Sequence, residues 1–397
     1  MKRTLIIGAA VIAFVGIGVL IYFYFFAKAP ALTTTPGSFP VAGEGTVPGT
    51  SGATGEGGPS APAPVSISPR LVKISAGPVV PGEAVINTQL ATASSTEETV
   101  VNYLARESGN VFSYSTNTKT LRRISNKTLP GIESAAWLPD GSAAFVRYLS
   151  GAQFSTINTY ALSASSSNSF FLSQNLADIA VSSAGILTLA SGVNGSVASL
   201  LRHDGTNPIQ VFTTPLSAIR ISFLGKSKYL AYTKPSGALP GAAFLVDAGH
   251  FSRIAGPKSG LVALASPLGK WVLVSSASGS ALQMELVDPA TGETLPLPVA
   301  TIADKCVWAA DDLTIYCGIP VSPPSGARYP DDWYQGAVHF SDRIWKIDTK
   351  GRYAQLVLDF PKETKGDLDA EALALDPANT TLVFVNKNDS SLWAYSL

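Results

Sequence analysis

One structural unit repeats six times between Ile132 and Leu397, as two alternating apolar strands that form a hairpin, a loop and a third strand. The hairpins at 133–148 and 371–386 show the pattern most clearly, and the period is about 40 residues. One such unit cannot bury its own apolar faces, so neighbouring units must stack on each other. Antiparallel units repeated at this spacing predict an all-β fold, the β-propeller.

The segments that flank the six units set the number of blades. Residues 82–88, 98–108 and 109–125 supply the strands of an additional first blade, which predicts a seven-bladed ring. The last unit ends with its third strand, and an unpaired sheet edge promotes aggregation. The short alternating strand at 70–75 is therefore expected to pair beside 391–397 and close the ring. A six-bladed ring, with 70–75 as a linker strand, is the alternative.

The first 27 residues predict a membrane anchor. Thr4 to Phe26 is an uncharged run of 23 residues, about 34 Å long as a helix, which is enough to span a bilayer. Lys2 and Arg3 precede this run and favour a cytoplasmic N-terminus with the rest of the chain extracytoplasmic. A cleaved secretory signal ending near Ala27 is the alternative. Both interpretations export the propeller.

Composition divides the remaining chain into a linker and one domain. Residues 28–69 are rich in Pro, Gly, Ser and Thr and predict a flexible linker that holds the propeller, residues 70–397, away from the membrane. The whole chain carries 28 basic and 28 acidic residues. This balance argues against a nucleic-acid partner, which a basic stripe would indicate.

The two cysteines lie on the two strands of one hairpin, in blade six. If Asp311 and Asp312 form its turn, Cys306 faces Cys317 directly, at a spacing that a disulfide can bridge. An exported domain favours the disulfide, and two buried free thiols are the alternative.

Motifs for catalysis are missing from the sequence. It contains no Gly-x-Ser-x-Gly elbow, zinc-protease helix, phosphate-binding loop or calcium loop. The histidines, His203, His250 and His339, are scattered, and with two cysteines they do not form a zinc ligand cluster. We therefore predict no catalytic residue, no metal and no cofactor.

The loop after the second strand of blade six is longer than its counterparts and spans about 319–341. It should lie on the face of the ring where propellers commonly bind ligands. Aromatic, acidic and basic residues are dense in it, as in binding hot spots. The candidate binding residues are Arg328, Tyr329, Asp331, Asp332, Trp333, Tyr334 and His339. Alternatively, Trp333 and Tyr334 plug the central channel or cover blade six.

The hairpin Ala135–Tyr148, with Trp137, Pro139, Asp140 and Gly141, resembles the Trp-x-Pro-Asp-Gly hairpin of the TolB-like and WD40-like propeller group. Only blade two carries this motif in full, and the Trp-Asp dipeptide of WD40 repeats is missing. The resemblance covers residues 70–397 as architecture. It implies a binding scaffold, since proteins of that group are mostly scaffolds.

Together these features predict a bacterial, membrane-anchored propeller of the cell envelope that binds a protein, peptide or glycan partner. The alternative is an envelope enzyme, a lyase or glycosidase that uses Asp331, Asp332 or His339. An enzyme requires a pocket in which acid and base groups converge, whereas a scaffold requires an exposed aromatic patch. A spacer within a larger complex is a third possibility.

Overall fold

The structure, a computed structural model, describes residues 63–89, 97–125, 127–164 and 169–397. The predicted anchor at 1–27 and the linker up to residue 62 lie outside the described residues. Within the described ranges, no helix is long and apolar enough to cross a membrane.

Short strands make up nearly all of the regular secondary structure in the described chain. The amino-terminal segment and blade one contain β1 (Val65–Ser66), β2 (Leu71–Lys73), β3 (Ala84–Gln89), β4 (Glu97–Leu104), β5 (Val111–Ser115) and β6 (Leu121–Arg123). Blades two and three contain β7 (Ile132–Trp137), β8 (Ala143–Ser150), β9 (Thr156–Ser163), β10 (Phe170–Phe171), β11 (Leu176–Ser182), β12 (Gly185–Gly192), β13 (Gly195–Leu201) and β14 (Ile209–Thr214).

The second half of the ring follows the same order. Blades four and five contain β15 (Ile219–Leu224), β16 (Lys228–Thr233), β17 (Pro240–Asp247), β18 (His250–Ser259), β19 (Val262–Ala265), β20 (Val272–Ser278), β21 (Ala281–Val287) and β22 (Thr294–Pro296). Blades six and seven contain β23 (Cys306–Trp308), β24 (Thr314–Pro320), β25 (Asp342–Asp348), β26 (Tyr353–Asp359), β27 (Ala370–Leu375), β28 (Thr381–Asn386) and β29 (Ser391–Ser396). The α-helices of the described ranges are α1 (Asp331–Tyr334) and α2 (Phe360–Thr364).

Seven antiparallel sheets form the ring, which confirms the predicted all-β, seven-bladed propeller. Six sheets have four strands that are consecutive in sequence, and the seventh has the order β1-β2-β29-β28-β27. The first strands of successive blades contact each other, as in β11 with β15 and β15 with β19. These strands are therefore the innermost ones and surround the axis.

The seventh sheet joins the two ends of the propeller. Strand β2 pairs with β29, and Leu71 lies opposite Tyr395 while Lys73 lies opposite Trp393. This is the place predicted for 70–75. Leu71 is fully buried, so the closure contributes to the core as well as to the sheet. Strand β1 adds a fifth strand beside β2, so the sheet includes residues that composition alone had assigned to the linker.

The core lies between neighbouring blades. Blades three and four, for example, pack Leu187, Leu189 and Phe212 against Ile221 and Val246. In blade six, Cys306 lies opposite Cys317 in the register. A disulfide joins them, with their Cα atoms 4.1 Å apart, close to the spacing of a non-hydrogen-bonded pair. The predicted register and bond are both present in the structure.

Loops of two kinds share one face of the ring, which we call the top face. They are the connections between blades and the loops that follow the second strand of each blade, because successive strands alternate in direction. The loops after the second strand include 151–155 in blade two, 193–194 in blade three, 234–239 in blade four and 321–341 in blade six. We call the last of these the blade-six loop.

Candidate functional site

The blade-six loop turns its aromatic side chains inward. Trp333 is only 3% exposed, and Tyr329 and Phe340 are also buried. The Trp333 and Phe340 rings stack with their centroids 6.3 Å apart, and the indole Nε1 donates hydrogen bonds to both carboxylate oxygens of Asp369, at 3.2 and 3.0 Å. Tyr329 and Trp333 therefore belong to the core and do not form an exposed aromatic patch.

A buried charge cluster lies beneath these rings. Lys305, Asp342 and Asp369 all have fully buried side chains. The Lys305 ammonium lies 2.8 Å from Asp342 Oδ2, contacts Asp369 and lies 4.8 Å from the centre of the Trp333 ring. Burial raises the pKa of Asp342 to about 6, although the nearby Lys305 opposes the rise. The cluster therefore fastens the loop to blades six and seven.

Asp331 and Asp332 hold backbone groups. Asp331 Oδ2 accepts a hydrogen bond of 3.0 Å from the Gly237 N–H, in the top-face loop of blade four. Asp332 Oδ2 accepts one of 2.7 Å from the Arg328 N–H. A Cβ atom at Gly237 would lie 2.7 Å from the Tyr329 carbonyl oxygen, so glycine permits this close approach. Asp331 thus fixes the blade-six loop to blade four, and Asp332 fixes the backbone of the loop itself.

The remaining candidates differ in their surroundings. Arg328 and His339 are exposed, and Tyr334 is half-buried. The Tyr334 hydroxyl donates a 2.6 Å hydrogen bond to Asp304 Oδ2. The structure therefore does not gather the seven candidates in one pocket, and a binding role for them stays a prediction.

A cavity of about 660 Å³ opens beside this loop. Its walls come from the innermost strands β11, β15 and β19 and from blade two, and it lies on the top face, toward the starts of those strands. The charged residues that line it are Arg147, Asp178, Arg220, Lys234 and Asp304. None of them was among the residues predicted from sequence.

One wall of the cavity is an ordered polar network. Arg220 forms a 2.9 Å ion pair with Asp304, and its guanidinium carbon lies 5.3 Å from the centre of the Tyr334 ring. Burial raises the pKa of Tyr232, which also lines the cavity. This wall is preorganised by contacts between blades four and six.

The opposite wall retains unused hydrogen-bonding capacity. Arg147 donates to the Leu176 carbonyl oxygen at 2.5 Å, but its buried Nε has no acceptor among the described residues. The Asp178 carboxylate accepts a 2.9 Å hydrogen bond from the Ile221 N–H, and burial raises its pKa. Lys234 is exposed at the rim. The cavity can therefore offer charged donors and one buried acid to a ligand.

A weak signal for this cavity exists in the aligned repeats. Asp178 and Arg220 each lie near the start of an innermost strand that is otherwise apolar or small, in LADIAVS and IRISFL. A charge at that position indicates a polar site, because the faces of an innermost strand otherwise pack against neighbouring blades. Arg147 and Lys234 follow from no repeat position and could not have been selected this way.

The remaining histidines are surface groups. His203 is exposed with its Nε2 2.9 Å from the Ser182 carbonyl oxygen, and His250 is exposed at the start of β18. Over the described part of the chain, no group of three or more His, Cys, Asp or Glu side chains could hold a metal ion.

Comparisons with known proteins establish the fold. No protein-family model matches the chain, and no curated protein sequence matches it. The oligogalacturonate lyase of Vibrio parahaemolyticus has a similar structure, with a TM-score of 0.55 and 8% identity over 82% of this chain and 93% of that chain. At this identity the likeness shows a shared propeller fold and nothing finer.

Two further structures are similar at lower scores. An oligogalacturonate lyase in complex with manganese gives a TM-score of 0.49 at 10% identity, covering 81% of this chain and 98% of that chain. The tricorn protease gives 0.38 at 15% identity, covering 74% of this chain and 28% of that chain.

Proposed function

We propose that this protein is a binding module of the cell envelope whose partner is a protein, peptide or glycan held at the top-face cavity. The observation that carries the proposal is the cavity of about 660 Å³ lined by charged side chains from several blades. Ligand sites are commonly concave and use a few convergent polar groups to orient the ligand. The buried aromatic residues of the blade-six loop support the cavity wall and do not form the contact surface.

The ordered wall of the cavity supports this function. The Arg220–Asp304 pair is fixed by an ion pair and by Tyr334, so a ligand would meet groups already in position. Preorganisation lowers the conformational entropy lost on binding. A spacer would have no need of such a cavity, and this distinguishes the binding function from the spacer hypothesis.

We further propose that the module is anchored in the cell membrane with the propeller extracytoplasmic. The uncharged run from Thr4 to Phe26 supports an anchor, and the Cys306–Cys317 disulfide is compatible with an oxidising compartment. The Trp137–Gly141 hairpin supports the TolB-like or WD40-like subtype. Deletion of residues 4–26 should release the protein from sedimented membranes, and continued sedimentation of the variant would contradict the anchor.

A photocrosslinking amino acid tests the site directly. Ser217 is exposed and lines the cavity, so a photocrosslinker at this position should form an adduct with the bound partner in intact cells. Lys226 is exposed in the turn between β15 and β16, on the opposite face, and the same group there should form none. Equal adducts at both positions, or none at Ser217, would refute the cavity as the binding site.

An envelope enzyme is the second candidate, and Asp178 is the observation that favours it. A buried carboxyl group with a raised pKa on a cavity wall is typical of a general acid or base. Asp331 and Asp332 are poor candidates because they hold backbone groups. Incubation with oligogalacturonate, the substrate named for a structural neighbour, should release new chain ends that Asp178→Asn abolishes. Unchanged oligosaccharides would remove this candidate for that substrate.

A further inference from the structure

We infer that the partner is a protein that inserts an acidic peptide segment, with a carboxylate in the cavity and apolar side chains on the surrounding top-face loops. This inference rests on the proposed function and specifies its ligand. Two independent features support it: the charge balance of the cavity, and three exposed apolar residues on the loops of blades two, three and four.

The cavity carries an excess of positive charge. Arg147, Arg220 and Lys234 line it together with two carboxylates, Asp178 and Asp304, so its formal net charge is +1. Asp304 is already paired with Arg220. Neither Arg147 nor Lys234 forms an ion pair within 4 Å with any acidic residue of the described ranges. Asp178 offsets part of the charge of Arg147 at longer range, so one net positive charge remains available to a carboxylate.

Arg147 is the better placed of these cations. One of its terminal nitrogens donates to backbone carbonyl oxygens of blade three, which orients the guanidinium. Its Nε is buried without an acceptor, and a buried donor without a partner is unfavourable. A ligand carboxylate in the cavity can pair with the part of the Arg147 guanidinium that lines it, because guanidinium and carboxylate groups form charge-assisted hydrogen bonds.

Apolar side chains lie on the top-face loops of three consecutive blades, and the loops of blades two and four are next in sequence to residues of the cavity walls. Phe154 of blade two is 70% exposed, Val193 of blade three is fully exposed and Leu239 of blade four is 68% exposed. The loops that bear Phe154 and Leu239 adjoin Ile157 and Lys234, which line the cavity. Exposed apolar groups on the same face as a charged pocket fit a peptide better than they fit a hydrated saccharide.

The backbone holds Phe154 in this exposed position. Gln153 and Phe154 both have left-handed backbone angles, with φ values of 59° and 55°. Residues other than glycine seldom adopt this region, and strained non-glycine residues cluster at functional sites. The loop therefore keeps an aromatic ring in solvent at a conformational cost, as a docking surface requires.

A selection with random dodecapeptides displayed on phage tests the ligand class with the full 397-residue chain. We expect enriched sequences to combine Asp or Glu with apolar residues. A synthetic copy of the best peptide should bind, and its Asn or Gln counterpart should bind about tenfold more weakly, as for loss of a charge-assisted hydrogen bond. An enriched set without acidic residues, or equal binding of the amide peptide, would overturn the inference.

Matched charge variants test which cations contact the acidic peptide. Arg147→Gln and Lys234→Gln should each weaken the acidic peptide, whereas Arg253→Gln and Lys226→Gln, which remove the same charges at exposed positions elsewhere, should not. Because Arg147 also contacts the backbone, the exposed Lys234 keeps the test decisive if Arg147→Gln fails to fold. Equal binding by Lys234→Gln and Lys226→Gln would refute the charge contact.

The apolar contacts have their own control. Leu239→Ser should weaken the peptide several-fold, and Leu268→Ser should not, although Leu268 is similarly exposed at 65% in the turn between β19 and β20 on the opposite face. Equal effects would refute the apolar contact. If the crosslinker at Ser217 captures a glycan and no acidic peptide is enriched, this inference fails while the proposed function stands. If neither the photocrosslinking nor the phage selection detects a ligand, both the proposed function and this inference fail.

Discussion

The blade-six loop and the top-face cavity lie on the same face of the ring. They differ in whether their charged side chains have ion-pair partners. Beneath the first, Lys305 is fully buried and has two carboxylate partners, Asp342 and Asp369. In the second, Lys234 and Arg147 line an open space and have no carboxylate within ion-pair distance in the described ranges. The charges of the first region are paired within the protein, whereas the second region has cations that can pair with a ligand.

This difference follows from the cost of burying charge. A fully buried ion must be paired and hydrogen-bonded, or it shifts its pKa and becomes neutral. A charge beside an open cavity keeps its hydration and can exchange water for a ligand. Dense charge in a loop therefore indicates a ligand site only when the tertiary structure leaves that charge unpaired.

Removal of the buried cation should have the largest effect on the closed region. Lys305→Met leaves two carboxylates buried together, which we expect to lower the free energy of unfolding by about 3 to 5 kcal/mol. Denaturant unfolding measures this change, with Lys226→Met, at an exposed turn, as the control. If both variants unfold alike, the cluster does not stabilise the loop.

The next largest difference in stability is expected when one aromatic residue is truncated in each region. Trp333→Ala should destabilise the protein by about 3 kcal/mol, at the lower end for tryptophan because the loop can partly collapse into the space. Limited proteolysis near Arg328 should then be faster than in the wild type. Phe154→Ala, which shortens an exposed ring, should leave the melting temperature within error. A similar loss in both variants would mean that the two regions do not differ.

Opening the disulfide tests the covalent support of blade six. The double variant Cys306→Ser with Cys317→Ser should lose about 2 to 3 kcal/mol, because the bond no longer constrains the unfolded chain. The bond lies next to Lys305 in sequence, so the loop should also become easier to cleave. Reductant should destabilise the wild type and leave the double variant unchanged. If reductant leaves the wild type unchanged, the disulfide does not contribute.

The smallest predicted effect is the pH dependence of the free energy of unfolding. The pKa of Asp342 is about 6 in the folded protein and lower when unfolded, so the folded state takes up the proton first. Asp342 contributes most to the free energy of unfolding when it is protonated, at a pH below its pKa in the unfolded state. This contribution declines as the pH rises toward 6. The stability of the wild type relative to Asp342→Asn should thus fall between pH 4 and 7, by about 1 to 3 kcal/mol. Unfolding curves at several pH values measure this. A flat difference would contradict the raised pKa.

Much of the fold could be predicted from sequence because it depends on local patterns. Alternation of apolar residues gave the strands, and the repeat gave the number of blades. The incomplete last blade indicated that 70–75 pairs with the last strand, which β2 and β29 do. The turn at Asp311 and Asp312 fixed the register that brings Cys306 to Cys317.

The candidate site was predicted only in part. The position of the blade-six loop follows from strand direction, but the direction of its side chains does not, because a loop has no periodicity. The sequence therefore left open whether Trp333 contacts a ligand or covers blade six. Asp369 and Lys305, each well separated from it in sequence, lie beside it in the structure. The cavity residues were missed because Arg147, Asp178 and Arg220 belong to three different blades.

By itself, the sequence determined the ring, its closure and its covalent bond, since each depends on a repeat period or on two strands joined by a short turn. Only the tertiary structure decided which charges are paired. Pairing depends on distances between side chains from different blades, such as the 2.9 Å between Arg220 and Asp304, and no local pattern specifies those distances. The same chemistry therefore makes a closed support in blade six and an open cavity bordered by blades two to five and by Asp304.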